Sequence, residues 1–186
     1  MRELSEHILD LVYNCIEGGA RSVRVAVIED SRADRLSIRV SDDGRGMDEA
    51  AARRALDPFY TTRTTRRVGL GLPLFAAAAR RCGGDVEVCS RPGEGTTVSG
   101  WMRHSHIDRQ PLGNVPETIV AAILSAPDIA FEYHHEVDGR CFTFNSSLLK
   151  EAAGDLPPSH PAVAQWLRAH LAEGIGGLGR LQAIGH

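Results

Sequence analysis

The chain has 186 residues, enough for one full hydrophobic core with a small addition. Its 21 basic and 24 acidic side chains leave a formal charge of -3, which excludes a general attraction to nucleic acid or to an anionic membrane surface. Cys15, Cys82, Cys89 and Cys141 form no C-x-x-C pair, no apolar run nears the roughly 20 residues of a membrane helix, and the start lacks a signal-peptide profile, so a reduced, cytoplasmic protein is expected.

Residues 3–17 repeat Leu4, Ile8, Leu11, Val12 and Cys15 at helical spacing, and Gly18-Gly19 ends the helix. Residues 22–29 and 35–41 alternate apolar and polar and form a predicted hairpin across Ser31-Arg32-Ala33-Asp34. A short helix is predicted over 48–56, a loop rich in Thr, Arg and Gly over 57–70, and an Ala-rich helix over 71–82. Strands over 85–90 and 96–103 flank the turn Pro92-Gly93-Glu94-Gly95. Composition shifts near residue 104. Beyond it come a helix over 115–125, two strands over 129–134 and 140–145 joined by Asp138-Gly139, and a helix over 161–173. The Gly-rich residues 174–186 read as a mobile tail. This order predicts an α+β two-layer sandwich, a mixed sheet covered by helices on one face, with a small C-terminal α+β appendage. The domain boundary is expected at 103/104, giving segments 1–103 and 104–186.

Ser41-Asp42-Asp43-Gly44-Arg45-Gly46-Met47 follows the second strand. Its Asp-x-Gly-x-Gly pattern places one carboxylate beside two residues without side chains. Such a pattern can accept a hydrogen bond from an exocyclic amine and bring backbone close to a flat ring. Alone it also describes an ordinary turn. Asp10 and Asn14 lie four apart on one helix face, where an amide oxygen can ligate Mg²⁺ and a carboxylate can act as a base. A solvated polar face has the same spacing.

Five motifs in fixed order resemble the GHKL ATPases, the superfamily of gyrase-type topoisomerases, a heat-shock chaperone, sensor histidine kinases and MutL proteins. Asp10-Leu11-Val12-Tyr13-Asn14-Cys15-Ile16-Glu17-Gly18-Gly19-Ala20 resembles the N-box and Asp42-x-Gly44-x-Gly46-Met47 the G1 box. Asp57-Pro58-Phe59-Tyr60-Thr61-Thr62-Arg63 is similar to the F-box, Gly69-Leu70-Gly71-Leu72 to the G2 box, and Gly93-Glu94-Gly95-Thr96-Thr97 to the final Gly-x-Gly-Thr. The resemblance covers residues 3–103 and implies the Bergerat ATP-binding fold with ATP and Mg²⁺ as cofactors. It implies that Asn14 ligates Mg²⁺, that Asp42 accepts from the adenine amine with Gly44, Gly46 and Met47 beside the ring, and that Thr96 supports the base. It implies that Gly69, Leu70 and Gly71 present backbone amides to the phosphates, that Arg63, Arg66 and Arg67 are candidate phosphate contacts on a mobile lid, that Thr62 and Leu72 also belong to the nucleotide site, and that Asp10 is the candidate catalytic base.

Four departures shape the expectation. Asp10 stands where gyrase-like and MutL-like members carry a longer glutamate, and Arg67 where many kinases have a glycine. The stretch from Phe59 to Gly69 is short for a lid. The first helix starts close to Met1, so a dimerisation and phosphoacceptor helix pair is not expected before it. The N-box is worded more like MutL, the F-box and G2 box more like histidine kinases, and the compact form resembles anti-sigma serine kinases. The implied function is a Mg-ATP-binding, histidine-kinase-like protein without its own phosphoacceptor helices, a regulatory kinase or ATPase acting on a partner protein. The alternative is a non-catalytic nucleotide-sensing subunit docked on an enzyme complex. The expected partners are ATP, a protein of unknown identity and, for the MutL-like mode, a second copy in a homodimer, with no nucleic acid and no membrane. His104, His106, His134 and His135 lack zinc spacing and read as surface and strand histidines, and Trp166 and Leu167 read as core.

Overall fold

Alternation decides which face of each strand leaves water. Val23, Val25 and Val27 on β1 (Ser22–Asp30) and Leu36, Ile38 and Val40 on β2 (Arg35–Asp42) are buried, while Arg24 and Arg39 point the other way. The computed structural model describes residues 1–57, 71–154, 156–158 and 160–179. The other elements are α1 (Leu4–Glu17), α2 (Glu49–Arg54), α3 (Gly71–Arg81), β3 (Asp85–Arg91), β4 (Gly95–Arg103), α4 (Val115–Ser125), β5 (Ala130–Val137), β6 (Arg140–Asn145), α5 (Ser146–Ala153) and α6 (Pro161–Gly179). The six strands form one sheet in the order β3-β4-β2-β1-β5-β6, antiparallel throughout except where β5 runs parallel to β1. Helices α3, α1, α4 and α6 pack as successive neighbours over one face. This is the α+β, Bergerat-type architecture that the sequence predicts.

The hairpin after residue 103 adds strands to the same sheet, and α4 and α6 continue the same helical layer. Leu4, Phe75, Ile119, Tyr133 and Leu167 belong to one buried cluster. The link between the two parts of the chain also caps α1. That helix has no side-chain N-cap, so its first N–H groups need other acceptors. Leu4 and Ser5 donate to the carbonyls of Pro111 and Leu112 at 3.0 and 2.9 Å.

Two expectations change. Residues 174–179, read as a mobile tail, continue α6 to Gly179. A Cβ on Gly174 would stand 2.1 Å from the Phe142 ring, so the helix lies close on β6 there, and the buried Leu171 and Leu178 hold it in place. Residues 180–186 lie outside the described residues. The sequence reading also missed α5. Its signals are Asn145, whose side chain accepts from the Ser147 N–H at 2.8 Å, and the buried pair Leu149 and Ala153 one turn apart. Asp138-Gly139 does close a two-residue hairpin, both residues having positive φ.

The histidines separate. His134 lies on the open face near Glu136, whereas His135 is 2% exposed and donates from Nε2 to Glu29 Oε1 at 3.0 Å. His104 donates to Glu29 Oε2 at 3.1 Å, and Tyr133 Oη bonds His135 Nδ1 at 2.8 Å. The His135 bond, with a further one from His104, holds the Glu29 carboxyl below the usual carboxylate range, against the opposing effect of burial.

A lowered carboxyl stabilises the fold fully above its unfolded value of about 4.3, and the gain is lost as pH falls through the lower folded value. Glu29→Gln should be less stable than wild type at pH 7, with the gap closing below about pH 4.3. Denaturant unfolding over that range checks this, and a constant gap rejects it. Phe75 is fully buried against Gly100, whose hypothetical Cβ would meet its ring at 2.4 Å. Phe75→Ala should cost about 3–5 kcal/mol in urea unfolding.

Candidate nucleotide site

Burying the apolar stripe of α1 turns Asp10 and Asn14 to its outer side, one turn apart. Asp10 is half-buried and Asn14 exposed. Gly71 begins α3 directly against Asp10. A Cβ on Gly71 would lie 2.9 Å from Asp10 Oδ2. The carboxylate thus meets the start of a helix, where backbone N–H groups and the helix dipole favour anions. Leu72, one residue on, is buried in the core.

The loop after β2 is tied on three sides. Asp43 Oδ1 accepts from the N–H groups of Arg21 and Ser22 at 2.7 and 2.8 Å, and these bonds hold its carboxyl below the ordinary range. Arg45 donates from its N–H to the Gly18 carbonyl at 2.9 Å and from its guanidinium to the Glu17 carbonyl. Gly93, in the β3–β4 turn, donates to the Arg45 carbonyl at 2.8 Å. Gly46 has φ +62°, and a Cβ there would lie 1.9 Å from the Arg91 carbonyl. Backbone therefore packs on backbone at this point, and only glycine allows it.

Asp42, Thr96 and Ser90 form a row across β2, β4 and β3, each opposite the next. Asp42 Oδ1 accepts from the Gly44 N–H at 2.7 Å. The Cys15 thiol lies against the Asp42 carboxylate and also donates to the Leu11 carbonyl at 3.2 Å. Burial, reinforced by the Asp42 charge, pushes this thiol far above its ordinary value, so it stays protonated and able to donate. Ser90 Oγ accepts from the Met47 N–H at 2.8 Å and bonds Thr96 Oγ1 at 2.8 Å. A cleft of about 970 Å³ is lined by Asp42, Ser90, Gly95 and Thr96 together with Glu49 and Arg53 of α2.

The described candidates therefore fall along one strip. It runs from Gly71 and Asp10 through Asn14 to the end of α1, then through Gly44 to Asp42 and Thr96. Thr62, Arg63, Gly69 and Leu70, with Phe59, Arg66 and Arg67, lie outside the described residues. Sequence reasoning did not single out Ser90. Its available signal was a hydroxyl at an alternating strand position beside a Gly-rich turn. Among the described residues no group of three or more His, Cys, Asp or Glu side chains could hold a metal ion. Mg²⁺ needs no such group, because it is bound by one or two protein oxygens plus phosphates and water. The amide oxygen of Asn14, exposed beside Asp10, fits that requirement.

The family profile described as histidine kinase-, DNA gyrase B- and HSP90-like ATPase matches residues 2–106. The chain belongs to this family, the GHKL ATPases, and carries a histidine-kinase-like ATP-binding domain. It is 45% identical over 92 residues to the sensor protein kinase FleS of Pseudomonas aeruginosa, covering 50% of this chain and 23% of that protein. It is 32% identical over 118 residues to the non-motile and phage-resistance protein of Caulobacter vibrioides, covering 59% of this chain and 14% of that one. The chain thus spans less than a quarter of these relatives. A crystal structure of the N-terminal domain of a DNA repair protein shares the fold, with a TM-score of 0.50 and 19% identity over 77% of this chain and 52% of that one. No helix among the described residues is long and apolar enough to cross a membrane.

Gly46→Ala should lower folding stability by more than about 1 kcal/mol, the cost of a positive φ, and should displace the Asp42 loop. Urea unfolding and ATP titration read the two effects. Wild-type stability and affinity together would refute the packing described.

Proposed function

We propose that this chain binds Mg²⁺-ATP along the strip from Gly71 to Thr96 and transfers the γ-phosphoryl group to a partner protein or to water. Asp42 accepts a hydrogen bond from the adenine amine, Gly44, Gly46 and Met47 flank the base, and Thr96 completes its support. Gly71 and the backbone of Leu72 hold phosphates at the start of α3, and Gly69, Leu70, Thr62 and Arg63, which lie outside the described residues, are assigned to the same phosphates by the resemblance. Asn14 ligates Mg²⁺, which supplies charge neutralisation at the phosphates when bound.

The observation that carries this reading is the contact of Asp10 with Gly71. A base must lie within reach of the nucleophile at the γ-phosphate, and the anion-favouring end of α3 is where that phosphate would rest. In the transfer, the nucleophile oxygen forms a bond to the γ-phosphorus as its proton passes to Asp10. The bond from that phosphorus to the β–γ bridging oxygen breaks, and ADP leaves with the electron pair. The protein contributes positioning and fixed dipoles more than covalent chemistry. The sensor kinase relatives support phosphoryl transfer, and the short Asp10 favours a slow rate.

The purified chain, with Mg²⁺ and γ-labelled ATP, alone and with cell extract, should move the label to phosphate or to a protein. Asp10→Asn should reduce that movement at least about 100-fold, the contribution of a general base, while ATP binding persists. Binding abolished by Asp42→Ala, with label never leaving ATP, would replace this reading with a nucleotide-sensing subunit. Turnover unchanged by Asp10→Asn would remove Asp10 as base.

A further inference from the structure

Ser90 is the meeting point of three segments of the nucleotide strip, and its hydrogen-bond count is closed. A serine hydroxyl has one hydrogen and two lone pairs. Ser90 Oγ lies 3.0 Å from the Gly95 carbonyl, which can only accept, so the Ser90 hydrogen points there. One lone pair takes the Met47 N–H at 2.8 Å. The remaining contact is Thr96 Oγ1 at 2.8 Å. With its single hydrogen used, Ser90 can only accept from Thr96. The Thr96 hydrogen is therefore turned toward Ser90 and away from Asp42.

That direction fixes what Thr96 offers to the cleft. Its oxygen presents lone pairs and no proton. Asp42, directly opposite on β2, is a carboxylate and also only accepts. Its Oδ1 already takes the Gly44 N–H, and the Cys15 thiol lies against the same carboxylate, so its orientation is held. Two acceptors thus face the same part of the cleft lined by Asp42, Ser90 and Thr96.

We propose that Ser90 is a positioning residue that sets Thr96 as an acceptor, so that Asp42 and Thr96 together select a purine bearing an exocyclic amine and turn away a 6-oxo purine. The inference rests on the nucleotide reading above and deepens it. An amine brings two hydrogens to two acceptors. A carbonyl oxygen at the same place brings lone pairs against lone pairs and leaves acceptors that the base has covered without a partner, which is the costly case. Without the Ser90 hydroxyl, Thr96 is free to rotate and donate, and a 6-oxo base gains a partner. The Met47 and Gly95 contacts also lapse, so overall affinity alone does not identify the role. The selectivity ratio does.

The test is titration of the 186-residue chain with ATP and with inosine triphosphate, which replaces the amine by a carbonyl. Wild type should prefer ATP. Ser90→Ala should narrow the preference about five- to tenfold, the worth of one hydrogen bond. Ser90→Thr, which keeps a hydroxyl, should restore it. Thr96→Val should narrow it by a similar factor, and the double variant should add little further because both act through one hydroxyl. An unchanged ratio in Ser90→Ala overturns the inference. So does an equal loss of both nucleotides, which marks Ser90 as loop support only. A wild type that binds both nucleotides equally overturns it and leaves ATP binding standing. Failure to bind either removes the nucleotide reading itself.

Discussion

Leu4, Ile8, Leu11, Val12 and Cys15 leave water only if α1 lies flat on the sheet, and this one packing constraint orients the rest of the strip. With the stripe buried, Asp10 and Asn14 face outward. The end of α1 then arrives at the loop after β2, where the Gly18 carbonyl accepts from Arg45. Gly71 can approach Asp10 because α3 packs beside α1 with a glycine at its first residue. A helix held less firmly would leave Asp10, Gly71 and the Asp42 loop out of line with one another.

The C-terminal third takes part in that constraint. Pro111 and Leu112 supply carbonyls to the bare start of α1, and α4 packs against its flank. At the opposite end of β1 from Asp42, Glu29 holds His135 of β5 and His104 of the connecting segment by one carboxylate. Apolar packing of Tyr133 and Phe144 continues the core laid down by Val25 and Val40. The site and the later strands thus share one sheet, joined through β1.

Much of the fold was legible because it follows from periodicity. Period-two runs marked β1 and β2, the Asp138-Gly139 hairpin signal marked β5 and β6, and Gly18-Gly19 marked the end of α1. What periodicity misreads is informative. Glycines at 174, 176, 177 and 179 look like a flexible tail, because glycine weakens a helix by about 1 kcal/mol against alanine. The chain stays helical there because the buried Leu171 and Leu178 anchor it, and the Phe142 ring fills the space beside Gly174. Helix α5 escaped notice because its eight residues carry only one side-chain cap and three buried positions, Ser146, Leu149 and Ala153. Within the site, motif order placed Asp10, Asn14, Asp42, Gly46, Gly71 and Thr96 in the chain, while the sequence was silent on their contacts.

By itself the sequence determined the family, the two-layer architecture and the residue types of the strip, because motif spacing and side-chain alternation are local properties of the chain. Only the tertiary structure decided that β5 and β6 extend the same sheet, since strand pairing between β1 and β5 joins residues about a hundred positions apart. It alone brought Asp10 against Gly71 and set Ser90 beside Thr96 and Met47. Hydrogen-bond direction depends on which donors and acceptors meet in space, and no linear pattern records that.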